Sequence, residues 1–245
     1  MLDSYGDTVV YAHTLGRSME NQPLVAYVLM LGATPETYQA EMVQRNSMFT
    51  NGAHHAREVT TISQTVFSML MMLYDYEVGD QSTIDLLTKN AYIFMPIVNI
   101  DGFTGIDIIY GATGELEVIR KNRRFTSADC DVVTLGVDLN RNYSFKWAYD
   151  DIGSSDNPCD QDYRGSEPFS EPETQAIRDM LVEMPNMKIA FNMHATGPLW
   201  IHPFCFDTSP ENPLLTEDFP NAKAFYRHLT SNIGLSDSWK VGNAI

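Results

Sequence analysis

Residues 91–98, with the sequence AYIFMPIV, form an almost continuously apolar run. A strand with apolar side chains on both sides is typical of a sheet whose two faces are covered by helices. The sequence predicts further strands at 8–13, 24–31, before Thr50, 188–193 and 199–204, a loop at 33–43, and helices at 57–77, from Ser82 or Thr83 to Lys89, at 171–184 and at about 219–233. This alternation predicts an α/β fold: a single domain over 1–245, with a mixed, twisted sheet flanked by helices on both faces.

Residues 99–172 lack this apolar periodicity. They are rich in Gly, Asp, Asn, Ser and Arg, and only 132–137 resembles a short strand. Irregular segments of this length in a compact domain are usually functional. We therefore expect the segment to contribute to a site.

The charge of the chain excludes some partners. Its 245 residues carry a formal net charge of −16, which argues against nucleic acid and against an anionic membrane surface. The longest apolar run, around Met69–Leu73, is too short for a membrane span, and the N-terminus lacks the pattern of a signal peptide. Four arginines within a short stretch nevertheless predict a local basic site, at 120, 123, 124 and 141.

The segment NGAHHARE, at 51–58, places His55 and Glu58 three residues apart. An imidazole and a carboxylate one helical turn apart can converge on one cation, although Glu58 could equally be a solvated residue favoured by the helix dipole. His194 ends a predicted strand and would add a second imidazole, unless it is a core histidine bonded to backbone. In an α/β sheet both segments would lie beyond the carboxyl ends of strands, where ligands bind. A His, Glu, His set leaves a coordination position open, as a catalytic zinc site requires.

Four segments carry a resemblance to a known family. GAHHARE, RKNRR at 120–124, GVDLNRNY at 136–143 and NMH at 192–194 occur in the order seen in zinc carboxypeptidases of the M14 family, and PIVNIDGF at 96–103 also resembles a family segment. The resemblance covers nearly the whole chain. It implies a metallocarboxypeptidase that binds one Zn²⁺ ion and hydrolyses the C-terminal bond of peptides and proteins through a metal-activated water.

The resemblance also implies roles for individual residues. His55, Glu58 and His194 resemble the zinc ligands, and Asp138 resembles the carboxylate that orients a ligand histidine. The remaining residues resemble a polarising and oxyanion-stabilising arginine, Arg123, a clamp on the substrate carboxylate, Asn140 and Arg141, and an auxiliary carboxylate binder, Arg57. A guanidinium fork suits a carboxylate, and a fixed positive charge suits a developing oxyanion.

Other interpretations of these basic residues remain open. Arg120, Lys121 and Arg124 are interpreted as solvated surface charge. The pair Asn140–Arg141 could be a loop turn whose Asn bonds its own backbone. Asn142-Tyr-Ser is an N-glycosylation sequon that we expect to be unused beside a substrate clamp.

The chain has three cysteines, and none forms a C-x-x-C pair. The residues alone allow one disulfide with one thiol, or three buried thiols. The resemblance implies a Cys130–Cys159 bridge, and we expect Cys205 to be a buried thiol. A bridge would imply an oxidising compartment, extracellular or lumenal and lysosomal.

The chain departs from the family pattern at its ends. The family's general-base glutamate and most of its specificity pocket follow the last ligand, whereas only Glu211 and Glu217 follow His194 here, neither in a similar context. We expect a catalytic domain truncated at both ends, without its last strands and C-terminal helix, and without proton-transfer assistance worth ~100- to 10,000-fold. The alternatives are a non-catalytic zinc- or peptide-binding module and a same-fold amidohydrolase of small acylated amino acids.

Overall fold

A five-stranded mixed sheet organises the first part of the molecule. Its strands are β1 (Val10–Arg17), β2 (Pro23–Leu29), β3 (Asn46–Asn51), β4 (Asn90–Met95) and β5 (Met187–Asn192), in the order β1-β2-β4-β3-β5. The β1–β2 and β2–β4 pairs are antiparallel, and the β4–β3 and β3–β5 pairs are parallel. The predicted mixed sheet is confirmed.

The structure is a computed structural model. It describes residues 9–195, 197, 199–201, 203, 205, 206, 224, 228, 231 and 240–242. Within it the chain divides into two compact units, at 1–195 and at 196–245. A single domain over the whole of 1–245 stays a prediction.

Five helices lie among the described residues of the first unit, 9–195. They are α1 (Tyr38–Gln44), α2 (Val59–Glu77), α3 (Gln81–Lys89), α4 (Ile100–Thr113) and α5 (Pro172–Glu183), and a short 3₁₀ turn spans Leu139–Arg141. Among helices in the described part of the chain, none is long and apolar enough to cross a membrane.

Strand β4 is buried on both faces, as the apolar run predicts. Ile93 belongs to a core cluster that includes residues of α1 and α5, such as Met42 and Ile177. Phe94, on the opposite face, belongs to a second cluster that includes residues of α2 and α3, such as Leu73 and Leu87. Because successive side chains of a strand point to opposite faces, helices must cover both sides of this sheet.

Several local predictions were wrong. Helix α4 lies inside the segment predicted to be irregular, α1 begins inside the predicted 33–43 loop and ends one residue beyond it, and 132–137 forms no strand. The cap of α3 is Asp80, whose side chain accepts a hydrogen bond of 2.8 Å from the Thr83 amide, and not Ser82 or Thr83.

Helix α4 is not predicted from the sequence because it contains glycines at 102, 105 and 111, which weaken helix propensity. Packing requires Gly102, because a Cβ there would lie 2.7 Å from the Lys121 carbonyl oxygen, whereas a Cβ on Gly105 would meet only the flexible side chain of Arg123, at 2.8 Å. A tertiary contact therefore selects a residue that local propensity disfavours.

The second unit is described only in part. Strand β6 (Leu199–Ile201) pairs in parallel with β7 (Lys240–Gly242), which confirms the start of the predicted 199–204 strand. Residues 224, 228 and 231 are helical, but most of the predicted 219–233 helix lies outside the described residues, as do Glu211 and Glu217. Cys205 is exposed, so the prediction of a buried thiol was wrong.

Candidate metal centre

The sheet brings the two histidine-bearing segments to one edge. Strands β3 and β5 are parallel neighbours, and the Met193 amide donates to the Asn51 carbonyl at 2.9 Å where both strands end. His55 follows β3, and His194 follows β5. Glu58 is the residue before α2, and its amide donates to the His55 carbonyl at 3.0 Å in the turn that starts the helix.

Two imidazole nitrogens face one carboxylate. His55 Nδ1 lies 2.8 Å from Glu58 Oε1, and His194 Nδ1 lies 2.8 Å from Glu58 Oε2. One ligand atom from each of the three residues lies within 4.8 Å of the others, and His55 and Glu58 are buried. The structure therefore brings together the three residues predicted as zinc ligands.

Asp138 contacts the cluster through His55, at the ring nitrogen that does not face Glu58. Its carboxylate is fully buried, and its Oδ1 lies 3.2 Å from His55 Nε2. Its Oδ2 accepts two hydrogen bonds from Arg120, at 2.9 Å from Nε and 2.7 Å from Nη2. A carboxylate on the outer nitrogen fixes the ring and directs the other nitrogen towards Glu58.

The electrostatics keep both acids ionised. Burial opposes ionisation of Glu58, but hydrogen bonds from His194 and His55 outweigh it and lower the pKa of Glu58 well below its usual range. Burial likewise opposes ionisation of Asp138, but its bond to His55 and the charges of His55, Arg120 and Arg141 lower its pKa well below the usual range. Each acid is thus a carboxylate, the form that can ligate a cation or orient a ligand.

His54 does not join the cluster, in agreement with the choice of His55 that the resemblance implies. Its Nε2 lies 2.8 Å from the Tyr143 hydroxyl, and its ring is buried. Burial, and then the charges of His194 and His55, lower the pKa of His54 to about 3.

The structure places Arg120, and not Arg123, against the cluster. Arg120 Nη1 lies 3.4 Å from His55 Nδ1, and the same guanidinium pairs with Asp138. Arg123 Nε instead donates to Glu20 at 2.7 Å. Nothing in its described contacts joins Arg123 to the metal-binding residues, so the geometry does not support the role the resemblance implied for it.

The contacts of Arg120 with Asp138 and His55 are a feature of the site that the sequence did not predict. The segment RKNRR offers arginines at 120, 123 and 124, and the interpretation of Arg120, Lys121 and Arg124 as solvated charge was wrong. Lys121 is buried, and Arg124 Nε donates to both oxygens of the buried Glu171, at 2.7 and 2.8 Å.

The predicted clamp lies on the 3₁₀ turn after Asp138. The Asn140 amide donates to Asp138 Oδ1 at 2.9 Å, and Arg141 Nε donates to the Gly153 carbonyl at 2.5 Å. Arg57 is exposed, and its amide donates to the Ile119 carbonyl at 2.8 Å. The carboxylate-binding roles of these residues stay predictions.

The loop region is closed covalently. Cys130 and Cys159 form a disulfide with an S–S distance of 2.09 Å, which confirms the implied bridge. The sequon asparagine, Asn142, is buried, and its Nδ2 donates to the carbonyls of Arg164 and Glu167 and to the Ser170 hydroxyl.

Comparison with known proteins identifies the family. The family model described as zinc carboxypeptidase, Peptidase_M14, matches residues 2–236. The chain belongs to the zinc carboxypeptidase family.

Individual relatives agree with this assignment. Carboxypeptidase B of Astacus astacus is 32% identical over 160 residues, covering 65% of this chain and 48% of that protein. Mast cell carboxypeptidase A of Homo sapiens is 30% identical over 205 residues, covering 83% of this chain and 44% of that protein. The crystal structure of the carboxypeptidase A from Helicoverpa armigera matches with a TM-score of 0.71 and 23% identity, over 98% of this chain and 54% of that one, and shows the same fold. The chain spans about half the length of these relatives or less.

The donor set of the candidate metal centre suits zinc. Zn²⁺ in proteins takes imidazole nitrogens and carboxylate oxygens, and its catalytic sites use three protein ligands. Here two imidazole nitrogens and one ionised carboxylate face one another, with Asp138 on the outer nitrogen of one ring.

Proposed function

We propose that this chain is the metal-binding part of a zinc-dependent metallocarboxypeptidase, which hydrolyses the C-terminal peptide bond of peptides and proteins. The observation that carries the proposal is the convergence of His55 Nδ1 and His194 Nδ1 on the two oxygens of Glu58. Family membership supports it, because the related proteins named above are carboxypeptidases.

His55, Glu58 and His194 would hold one Zn²⁺ ion. When bound, zinc lowers the pKa of a water molecule and polarises a carbonyl group. The protein's own contribution at this point is orientation: Asp138 Oδ1 lies 3.2 Å from His55 Nε2, so a neutral ring that keeps its proton on Nε2 would present Nδ1 to a cation on the Glu58 side.

Arg120 takes the oxyanion-stabilising role in this proposal, in place of Arg123. Its guanidinium is held by two hydrogen bonds to Asp138 and leaves Nη1 beside His55. A positive charge that is already fixed near the reacting carbonyl stabilises the transition state without reorganisation.

The substrate's free carboxylate would be recognised by Asn140 and Arg141, with Arg57 as an auxiliary group. The amide and the guanidinium together offer several donors to a planar acceptor. Support comes from their position, since Asn140 is bonded to the same Asp138 that orients His55.

We also infer that the protein resides in an oxidising compartment, extracellular or lumenal. The Cys130–Cys159 disulfide supports this, because such bonds persist where thiols are not kept reduced.

Zinc content tests the metal site directly. The purified chain should hold one equivalent of zinc that a chelator removes, and the variants His55→Ala and His194→Ala should lose it. The matched control is His13→Ala, since His13 lies on β1 and should leave zinc content unchanged. Full zinc binding by both site variants would refute the proposal.

Peptide pairs test the exopeptidase assignment. Arg141→Ala should weaken binding of a peptide with a free C-terminus by roughly 10- to 100-fold relative to its amidated form, the loss expected for a hydrogen-bonded charge pair. Calorimetry or fluorescence measures this without requiring turnover. Equal losses for both peptides would favour a binding module that does not read the chain end.

A further inference from the structure

Lys121 is a buried lysine that the proposed mechanism does not use. Its side chain is among the largest that are fully buried, and its ammonium donates to the carbonyls of Pro158 and Asp160, each at 2.8 Å. The ammonium also lies 5.7 Å from the centre of the Tyr163 ring. Burying a charge is unfavourable unless it is hydrogen-bonded, so these contacts are needed for Lys121 to occupy this position.

The residues that Lys121 contacts belong to one short turn, 157–163, which we name the disulfide turn. The two carbonyls flank Cys159, which is joined to Cys130. The turn is closed internally by hydrogen bonds from the Asp160 amide to the Asn157 carbonyl and from the Tyr163 amide to the Asp160 carbonyl. The disulfide turn is therefore an ordered unit that Lys121 can hold.

The disulfide turn also contacts the residue behind the metal centre. The Asp138 amide donates to the Tyr163 carbonyl at 2.9 Å. Asp138 in turn pairs with Arg120, the chain neighbour of Lys121. The contacts form a closed ring from Lys121 through the disulfide turn to Asp138, then to Arg120 and back along the backbone.

The backbone on either side of Lys121 is anchored as well. The Arg120 carbonyl accepts from the Ala56 amide at 3.2 Å, and the Asn122 amide donates to the Val137 carbonyl at 3.0 Å. Adjacent Cα atoms are about 3.8 Å apart, so a displacement of Lys121 would be transmitted to Arg120 within one residue.

We propose that Lys121 is a positioning residue of the candidate metal centre, which clamps the disulfide turn and thereby fixes Arg120 and Asp138. Lys121 itself touches none of the three metal-binding residues in its described contacts. Its effect on them passes through Asp138, which orients His55. The expected effect of Lys121 on zinc affinity rests on the proposed function. The expected clamping of the disulfide turn rests on the ring of contacts alone.

Two variants and two measurements test the clamp. Lys121→Met removes the charge and the donors at similar length, and Lys121→Gln keeps a donor without a buried charge, in case the Met variant does not fold. Lys89→Met, at the exposed end of α3, is the matched control. Hydrogen exchange of the intact chain measures order in peptides covering 136–142 and 155–164. Competition with a chelator measures zinc affinity.

We expect both Lys121 variants to exchange faster in these two segments, with α3 unchanged, and to bind zinc about 10-fold more weakly, at the lower end of outer-sphere substitutions. Lys89→Met should change neither quantity. Unchanged exchange at 136–142 in both Lys121 variants would overturn the clamp. Faster exchange with unchanged zinc affinity would overturn positioning and leave only a structural role. If the wild-type chain binds no zinc, the proposed function fails, and the exchange comparison alone decides the clamp.

Discussion

Two fully buried carboxyl groups, Asp138 and Glu173, sit in opposite electrostatic surroundings. Asp138 accepts from His55 and from Arg120, whereas neither oxygen of Glu173 accepts a hydrogen bond of normal geometry. Burial raises the pKa of Glu173 to about 7, aided by the charges of Glu171 and Asp101 and opposed by the backbone amides of Glu173 and Met19, while the partners of Asp138 lower its pKa. Burial alone therefore does not decide the charge of an acid; its partners do.

The two acids also differ in location: Asp138 belongs to the candidate metal centre, and Glu173 belongs to a helix. Asp138 lies beside the residues proposed to bind a cation, whereas Glu173, whose pKa is raised, lies in the first turn of α5. A buried carboxylate without a positively charged partner is unfavourable there, which is why burial raises the pKa of Glu173.

The largest effect is expected from replacing Asp138, the acid that is paired with Arg120 and His55. Asp138→Asn removes the charge that balances Arg120 and should lower the free energy of unfolding by roughly 3–5 kcal/mol, the usual cost of breaking a buried pair. Zinc affinity should also fall by roughly 10- to 100-fold, because His55 loses the carboxylate on its outer nitrogen. Denaturant unfolding and chelator competition measure the two losses. A variant as stable as the wild type would show that the pair contributes nothing.

The next effect concerns the unpartnered acid and depends on pH. The folded state raises the pKa of Glu173 from 4.5 to about 7, so the folded state binds its proton more tightly than the unfolded state does. Stability contributed by this group is therefore full below pH 4.5, falls as pH rises towards 7, and changes no further above that. Glu173→Gln should remove this loss and be more stable than the wild type at pH 8 by up to about 3 kcal/mol.

Denaturant unfolding at pH 5 and pH 8 measures that difference. The control is Glu183→Gln, an exposed residue of the same helix, which should show the pH dependence of the wild type. Parallel pH profiles for Glu173→Gln and the wild type would mean that Glu173 is ionised in the fold.

The smallest effect is expected where a pair is accessible to water. Arg123 and Glu20 form an ion pair with 22% and 38% of their side chains exposed. Arg123→Ala should change the free energy of unfolding by less than about 1 kcal/mol, because solvent screens such pairs. The same variant should retain zinc and peptide binding, whereas Arg120→Ala should reduce turnover roughly 100-fold or more in any preparation that turns over substrate. The opposite ranking of the two arginines would restore the role first assigned to Arg123.

The parts of the fold that sequence predicts are those where patterns are long and regular. The apolar run that contains β4, the stripe of α2 and the strand that leads to His194 each follow from periodicity. Helix α4 does not, because its glycines weaken the helical pattern, and one of them, Gly102, is required by its close contact with the Lys121 backbone. Residues distant in sequence supply that information.

The candidate site likewise contains some residues that the sequence predicts and others that it does not. His55, Glu58 and His194 were predicted together because two strand ends meet at one sheet edge, and Asp138 followed from resemblance. The contacts of Arg120 with Asp138 and His55 could not be predicted, because a run of basic residues does not show which side chain faces inward. The burial of Lys121 was missed for the same reason, since lysine is rarely buried without partners supplied by another segment.

The buried amide of Asn142 has a consequence for how this protein could be modified. A glycan is attached to the side-chain nitrogen of a sequon asparagine, and here that nitrogen donates to three acceptors in the interior. Attachment at Asn142 would require the segment to be open. A sugar on this residue would therefore mark molecules caught before they had finished folding, and the glycosylated fraction would report how quickly the chain closes around Asn142.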